Sequence, residues 1–84
     1  MNPTLQAIQD EAEHAHGKYG PPTSTHEALG VLMEEFNELR AAIHQNKSAS
    51  VAEEAIQVAA VAYRLALAIA SGDVAFWWRS GFGK

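Results

Sequence analysis

Three glutamates have a spacing that places them among the apolar residues of predicted helices. Glu35 and Glu38 are one turn apart on a helical stripe whose other members are apolar. Glu54 extends the apolar stripe of the following helix, and Gln57 lies one turn after it. An ionised carboxylate in an apolar environment costs on the order of several kcal/mol unless it is paired or binds a cation. The pattern therefore indicates that these carboxylates bind a cation.

The chemistry of the carboxylates favours a hard divalent ion as that cation. Arg40, the arginine of the same helix, lies about 140° from Glu35 around the helix axis and points elsewhere. Mg²⁺ prefers oxygen ligands, keeps several waters and usually binds carboxylates together with the phosphates of a substrate. We therefore expect Glu35, Glu38 and Glu54 to bind Mg²⁺, with Mn²⁺ as the alternative ion, in a site that handles phosphates.

Capping signals predict the helices that carry these residues. An Asn-Pro pair marks the first start, and a serine followed three residues later by glutamate, at Ser24 and again at Ser50, marks two more. The predicted helices run from Pro3 to about His16, from Ser24 to about His44 and from Ser50 to Ser71. Helices two and three form an antiparallel helical hairpin, and a last short helix carries Trp77 and Trp78. The chain is therefore a single all-α domain in which short helices flank the hairpin.

Apolar stripes predict where the hairpin is buried. In helix two the stripe, with members three and four residues apart, is predicted to be ordinary core and contains Leu29, Leu32, Phe36, Leu39 and Ile43. Helix three is apolar on almost every side from Val58 to Ala70, and a chain of 84 residues is too small to cover it. We therefore expect a homo-oligomer, a dimer or tetramer, in which helices two and three complete a four-helix-bundle core.

Composition and charge exclude several other classes of protein. The net charge is −4 and the six basic residues are scattered, which offers little to the phosphates of a nucleic acid. The absence of cysteine excludes disulfides and thiolate zinc sites. The N-terminus does not look like a signal peptide, and the longest apolar stretch, 58–70, is shorter than the ~20 residues of a membrane span and contains Arg64. We expect a cytoplasmic protein that binds neither nucleic acid nor membrane.

Two short motifs carry a resemblance to a known family. Residues 35–38 are an E-x-x-E, and residues 54–57, an E-x-x-Q, begin sixteen residues after Glu38. Their order and spacing resemble the E-x-x-E…E-x-x-D pattern of MazG-like, all-α nucleotide pyrophosphohydrolases, in particular a small phage- or mobile-element-type branch, over about Lys18 to Leu67. The resemblance implies hydrolysis of a nucleoside triphosphate between its α and β phosphates, which gives a monophosphate and pyrophosphate. It also implies Mg²⁺ on the carboxylates and sites built at subunit contacts.

The same resemblance assigns roles to individual residues. Glu38 is the candidate catalytic base that accepts the proton of the attacking water. By residue type, and not from the resemblance, Lys18 and Arg64 are the candidates for binding the substrate phosphates, and Tyr19 or Trp77 for stacking on the nucleobase. Gln57 stands where the family pattern has Asp. Its amide supplies one carbonyl oxygen to the metal but removes a negative charge, which weakens the site or leaves a single ion.

The same residues also suit roles outside a metal-dependent enzyme. Glu35 and Glu38 suit the solvated edge of an amphipathic helix, and Glu54 suits an ion pair with the partner's Arg64. For function, one alternative is a catalytically inactive relative that binds nucleotide or metal, which Gln57 favours. Another is a helical interaction module whose tryptophan-bearing tail binds a partner. Release of pyrophosphate that depends on Mg²⁺ separates the enzyme from both.

Overall fold

The computed structural model describes residues 2–72, which form three α-helices. The helices are α1 (Pro3–Tyr19), α2 (Thr25–His44) and α3 (Ser48–Ser71). The predicted all-α class is therefore confirmed for this part of the chain. The predicted last helix, with Trp77 and Trp78, lies outside the described residues.

The first two helices begin where the capping signals predict. The Asn2 side chain accepts a hydrogen bond from the backbone N–H of Leu5 at 2.8 Å, and proline occupies the first turn. At the start of α2, the Ser24 hydroxyl accepts from the backbone N–H of Glu27 at 3.1 Å. The Glu27 carboxylate in turn accepts from the backbone N–H of Thr23 at 2.8 Å. These bonds satisfy helix-terminal N–H groups that have no partner within the helix.

Two predicted helix boundaries are wrong by a few residues. Helix α1 continues past His16 to Tyr19, because Gly17 stays helical and the helix ends at Gly20, whose positive φ of 73° suits a glycine. Helix α3 begins at Ser48, so Ser50 lies inside the helix instead of capping it. The connection 45–47 sets this start, since the backbone N–H of residue 47 donates to the carbonyl of residue 42 and turns the chain directly into the helix. The predicted end of α3 at a left-handed glycine, residue 72, is confirmed.

Helix α3 packs against both of the other helices. Only residues 45–47 connect α2 to α3, so the two run in opposite directions as the predicted hairpin. The buried apolar residues of the described chain are all alanines, drawn from every helix: Ala12, Ala28, Ala42, Ala60 and Ala68. The larger apolar side chains on the facing surfaces, such as Leu32 and Leu39, are only half-buried, so the single chain buries little large apolar surface.

The predicted core stripe of α2 divides into two parts. The inner seam lies towards α3 and is buried or half-buried; it consists of Ala28, Leu32, Glu35, Leu39 and Ala42. The outer stripe is exposed, and it consists of Leu29, Met33, Phe36 and Ile43. The prediction that Leu29, Phe36 and Ile43 are core is therefore wrong for the single chain. The apolar arc of α2 spans about 180°, and α3 covers only half of it.

Helix α3 is long and apolar enough, by length and composition, to cross a membrane. It has 24 residues and contains a window of mean hydropathy 1.3, of which 11% is buried. This finding weakens the sequence argument against a span, which considered only 58–70. The same helix packs against α1 and α2, and its Arg64 is hydrogen-bonded to the backbone between those helices. A membrane is therefore a competing partner that experiments on the apolar surfaces must distinguish.

Candidate metal and phosphate site

The hairpin brings together the three glutamates that the sequence singled out. Glu35 and Glu38 lie one turn apart on α2, and Glu54 lies on the facing side of α3. One carboxylate oxygen from each residue lies within 4.8 Å of one from each of the others. Glu35 and Glu54 are half-buried, whereas Glu38 is exposed. Two carboxylates of the cluster, those of Glu35 and Glu54, are therefore partly shielded from water, and the third faces solvent.

The electrostatics of the cluster are unfavourable for a fully ionised state. Burial, a hydrogen bond with Glu38 and the negative charges of Glu38, Glu54 and Glu34 together raise the pKa of Glu35 from 4.5 to about 7, and burial is the largest of these causes. Two carboxylates can share a hydrogen bond only when one of them carries a proton. Near neutral pH the Glu35–Glu38 pair therefore holds a proton for part of the time. This behaviour argues against Glu35 lying on a freely solvated edge of the helix.

The donor set fits a small divalent cation. Oxygen ligands lie about 2.1 Å from Mg²⁺, so two ligands of one ion are at most about 4.2 Å apart. The carboxylate oxygens are within 4.8 Å of one another, and small side-chain rotations close the difference. Every influence on the pKa of Glu35 raises it, so among residues 2–72 no cation offsets the negative charge around this carboxylate. Three carboxylates leave the other octahedral positions for water or phosphate oxygens.

An open groove of about 670 Å³ adjoins the cluster and leads away from it. Glu35 and Gln57 line the groove where it meets the cluster, while Lys18 and Arg64 contribute cationic side chains to the same lining. The segment 20–22, which connects α1 to α2, is also part of its wall. The groove therefore combines one carboxylate of the cluster, that of Glu35, with cationic side chains that can bind a polyphosphate.

Arg64 is the residue that ties the groove to the connection between α1 and α2. Its Nη2 donates a hydrogen bond of 2.8 Å to the carbonyl oxygen of Gly20, 44 residues away in sequence. Its Nε is buried and has no hydrogen-bond acceptor among the residues that the structure describes. A guanidinium has five N–H donors, so one bond to a carbonyl leaves others available. Arg64 therefore has a structural contact and unused donor capacity at the same time.

Tyr19 stands at the edge of the groove. It is the most exposed of the large apolar residues of the described chain, at 70%, and it lines the groove next to Lys18. The ammonium of Lys18 lies 5.2 Å from the centre of its ring, within the range of a cation–π contact. The ring thus offers an exposed aromatic face beside a cation.

The structure locates all six residues that the sequence proposed for the site. It brings Glu35, Glu38 and Glu54 into one cluster, and it places the other three along the adjoining groove: Gln57, Lys18 and Arg64. The position of Arg64 in the same chain's groove, bound to Gly20, gives an alternative to its predicted pairing with Glu54 of another subunit.

Sequence reasoning missed several polar residues of the groove. Glu34 raises the pKa of Glu35. It also lines the groove, and the other polar residues of the lining that were missed are Glu27, Glu11 and His14. Positions 11, 14, 15 and 18 of α1 all line the groove, and their three- and four-residue spacing places them on one face of that helix. This periodicity is the signal that could have identified them once Lys18 was considered a candidate.

Comparisons with protein-family models, with curated proteins and with solved structures found no match to this chain. The resemblance to MazG-like enzymes therefore depends on the two motifs at 35–38 and 54–57 alone. The chemistry of the site therefore depends on the carboxylates, the cationic side chains and the groove described above.

Proposed function

We propose that the protein is a Mg²⁺-dependent nucleoside triphosphate pyrophosphohydrolase, which converts an NTP or dNTP to the monophosphate and pyrophosphate. The observation that carries this proposal is the convergence of Glu35, Glu38 and Glu54 beside a groove that also presents Arg64 and Lys18. A carboxylate cluster that can hold a divalent cation, next to a groove with two cationic side chains, is complementary to a metal-bound polyphosphate.

Each carboxylate has a distinct part in the proposed reaction. Mg²⁺ held by the three glutamates would neutralise charge on the phosphates and make a water molecule more acidic. The half-buried Glu35 and Glu54 fix the position of the cluster, since their surroundings restrict their side chains. Glu38 is exposed and accepts the proton of the water that attacks phosphorus. The bond from phosphorus to the bridging oxygen breaks, and pyrophosphate leaves.

The groove accounts for binding of the remainder of the substrate. Arg64 and Lys18 bind phosphate oxygens as the cationic side chains of the groove lining. Tyr19 stacks on the nucleobase with its exposed ring, a contact that every base can make. This arrangement favours recognition of the triphosphate over recognition of one particular base.

A second candidate function is binding of nucleotide or metal without turnover. The observation that favours it is the amide of Gln57, which lines the groove beside Glu35 where a fourth carboxylate would add charge. An amide is a weaker ligand than a carboxylate for a hard cation, so the site holds fewer ions or holds them less tightly.

Release of pyrophosphate distinguishes the two functions. The purified protein is incubated with each common NTP and dNTP, with Mg²⁺, with Mn²⁺ and with EDTA, and pyrophosphate is measured. We expect release with at least one substrate, dependent on the metal. Glu38→Gln and Glu54→Gln should each reduce the rate by roughly 100-fold or more. Glu53→Gln is the matched control, because Glu53 is exposed on another side of α3 and should leave the rate unchanged.

Two results would contradict the enzyme proposal. Metal-dependent nucleotide binding by calorimetry without any pyrophosphate release selects the binding protein. An equal loss of activity in Glu53→Gln and Glu54→Gln would mean that the cluster has no special part in the reaction.

A further inference from the structure

The outer stripe of α2 is an apolar surface that no described part of the chain covers. Leu29, Met33, Phe36 and Ile43 are 47%, 56%, 56% and 50% exposed. They lie three, four or seven residues apart, so they form one line along more than three turns of the helix. This line is about 95° from the inner seam around the helix axis, and α3 therefore cannot cover both.

The interior of the described chain shows why the outer stripe matters. Its buried apolar residues are all alanines, and it has no large side chain that is fully buried. Large apolar side chains stabilise a fold when they leave water, and contiguous exposed patches of them mark contacts with a partner. The residues that would normally supply core packing in a helical domain are here arranged in line on an outer surface.

The charge around the outer stripe suits a second copy of the same chain. Apart from Arg40, which lies between the turns of the stripe, the flanking positions of α2 contain no Asp, Glu, Lys or Arg: Leu32 and Leu39 lie on one side, and Gly30, Asn37 and His44 on the other. The glutamates of α2 lie further around the helix, at positions 27, 34, 35 and 38. Two copies of this face can therefore approach without bringing carboxylates of α2 together, although each chain has a net charge of −4.

The order of residues along the stripe is self-complementary. Phe36 is seven residues from both Leu29 and Ile43, while Met33 and Arg40 occupy the intermediate turns on either side of it. A two-fold contact requires a surface that matches its own reversed copy. In an antiparallel pair centred on Phe36, Arg40 lies beside the partner's Met33, where its aliphatic stem can cover the thioether. A parallel pair would instead bring the two Arg40 side chains together, with like charges opposed.

We propose that two copies of the chain pack through their outer stripes, with their α2 helices antiparallel about a two-fold axis at Phe36. Leu29 then packs against the partner's Ile43, and Phe36 packs against the partner's Phe36. The carboxylates of Glu35 and Glu38 lie on other sides of α2, so the contact leaves the acidic cluster of each chain open. The proposal does not depend on the proposed function.

Cysteine cross-linking tests both the contact and its direction, because the chain has no cysteine of its own. A disulfide requires Cβ atoms about 3.8 Å apart, so only residues that face each other form one efficiently. We expect Phe36→Cys to cross-link with itself under mild oxidation, roughly tenfold or more faster than Ala41→Cys, an exposed control on another side of α2. Leu29→Cys mixed with Ile43→Cys should give the heterodimer.

Disulfide-linked dimers of a single cysteine variant show whether the two α2 helices are parallel or antiparallel. Leu29→Cys alone should not cross-link with itself in an antiparallel pair. Efficient Leu29→Cys homodimers together with slow heterodimers would indicate parallel helices and overturn the proposal. Equal cross-linking of Phe36→Cys and Ala41→Cys would do the same, since it would reflect random collisions.

Sedimentation provides a test without oxidation. At tens of micromolar the wild type should sediment at twice the 9.1 kDa of one chain or above. Phe36→Glu should sediment as a smaller species, because the contact between the two outer stripes would then bury two carboxylates. Ala41→Glu adds the same charge on another side of α2 and should sediment like the wild type. Circular dichroism reports whether Phe36→Glu stays helical. If this variant unfolds, the cross-linking experiment decides whether the outer stripes form the contact.

A membrane is the competing occupant of the apolar surface. We expect the wild type to stay in the aqueous fraction when mixed with phosphatidylcholine vesicles and separated by flotation. A monomer that floats with the vesicles would overturn the proposal. Binding of Mn²⁺ tests the acidic cluster separately. If Phe36→Glu binds Mn²⁺ as tightly as the wild type does, loss of the dimer does not affect the metal site. If a dimeric wild type does not bind Mn²⁺, the proposed function is wrong and the dimer proposal is unaffected.

Discussion

The inner seam and the outer stripe of α2 distribute polar and apolar residues in opposite ways. The inner seam, which faces α3, contains Glu35 together with alanines and two leucines, whereas the outer stripe contains large apolar side chains exposed to solvent. Packing alone would favour the reverse arrangement, with the large side chains inside. This distribution is the one expected of an inner seam that holds a functional carboxylate and an outer stripe that meets a partner, as we propose, at a cost in the stability of the single chain.

The largest expected effect concerns the charge on the inner seam and its dependence on pH. In EDTA, an unfolded chain releases the proton of Glu35 near its ordinary pKa of 4.5, but the folded chain retains it until about pH 7. The folded state binds more protons between these values, so stability should fall as pH rises from about 4.5 to 7 and level off above. After solvent screening, the contribution of Glu35 is about 1–2 kcal/mol.

Denaturant titrations at several pH values measure this loss. Glu35→Gln cannot ionise and should remove this part of the slope, while Glu53→Gln, at an exposed position, should retain it. If the wild type and Glu35→Gln lose stability in parallel between pH 4.5 and 7, the carboxylate of Glu35 is not crowded as described.

The second prediction contrasts one leucine of the inner seam with the aromatic centre of the outer stripe. Leu32→Ala should destabilise the protein by about 1–2 kcal/mol at every protein concentration, because its half-buried side chain packs within the chain. Phe36→Ala should instead remove the dependence of Tm on protein concentration, since Phe36 is mainly exposed in the single chain. Thermal melts over a 100-fold range of concentration, roughly, suffice to separate association from internal packing.

The helices could be predicted from the sequence more completely than the faces they bury. The starts at Asn2 and Ser24 were predictable because the capping hydrogen bonds are local. The start at Ser48 was not, because the connection at 45–47 overrides the capping signal of Ser50. The periodicity of α2 gives an apolar arc of about 180°, but which half meets α3 depends on how the two surfaces fit.

In the site, too, features of a single helix could be predicted from the sequence, whereas contacts between distant segments could not. Glu35, Glu38 and Glu54 were predictable because a carboxylate within an apolar stripe is anomalous at the level of a single helix. The hydrogen bond from Arg64 to Gly20 spans 44 residues, so no local pattern indicates it. The groove-lining face of α1 was missed for a related reason, because the orientation of a polar helix is set by docking and not by its own periodicity.

The smallest expected effect concerns Gln57 at the edge of the cluster. Gln57→Glu, or the shorter Gln57→Asp, adds a charged oxygen where the amide now lines the groove beside Glu35. Affinity for Mg²⁺ or Mn²⁺ should rise by roughly 3- to 10-fold, as another carboxylate strengthens a site for a hard cation. Calorimetric titration of each variant with Mn²⁺ measures the change. Unchanged or weaker affinity in both variants would mean that residue 57 does not face the ion.

The central claim, that the acidic cluster is a metal site, is tested most directly by thermal melts of the wild type and Glu54→Gln, each in EDTA and in excess Mg²⁺. We predict that Mg²⁺ raises the Tm of the wild type and not that of the variant, because a ligand that binds the folded state stabilises it. In EDTA the variant should be more stable by ~1 kcal/mol, since it lacks one of three crowded charges. If Mg²⁺ leaves the wild type unchanged and Glu54→Gln is destabilised by about 3–5 kcal/mol, Glu54 is instead the partner of a buried cation and the metal-site account is wrong.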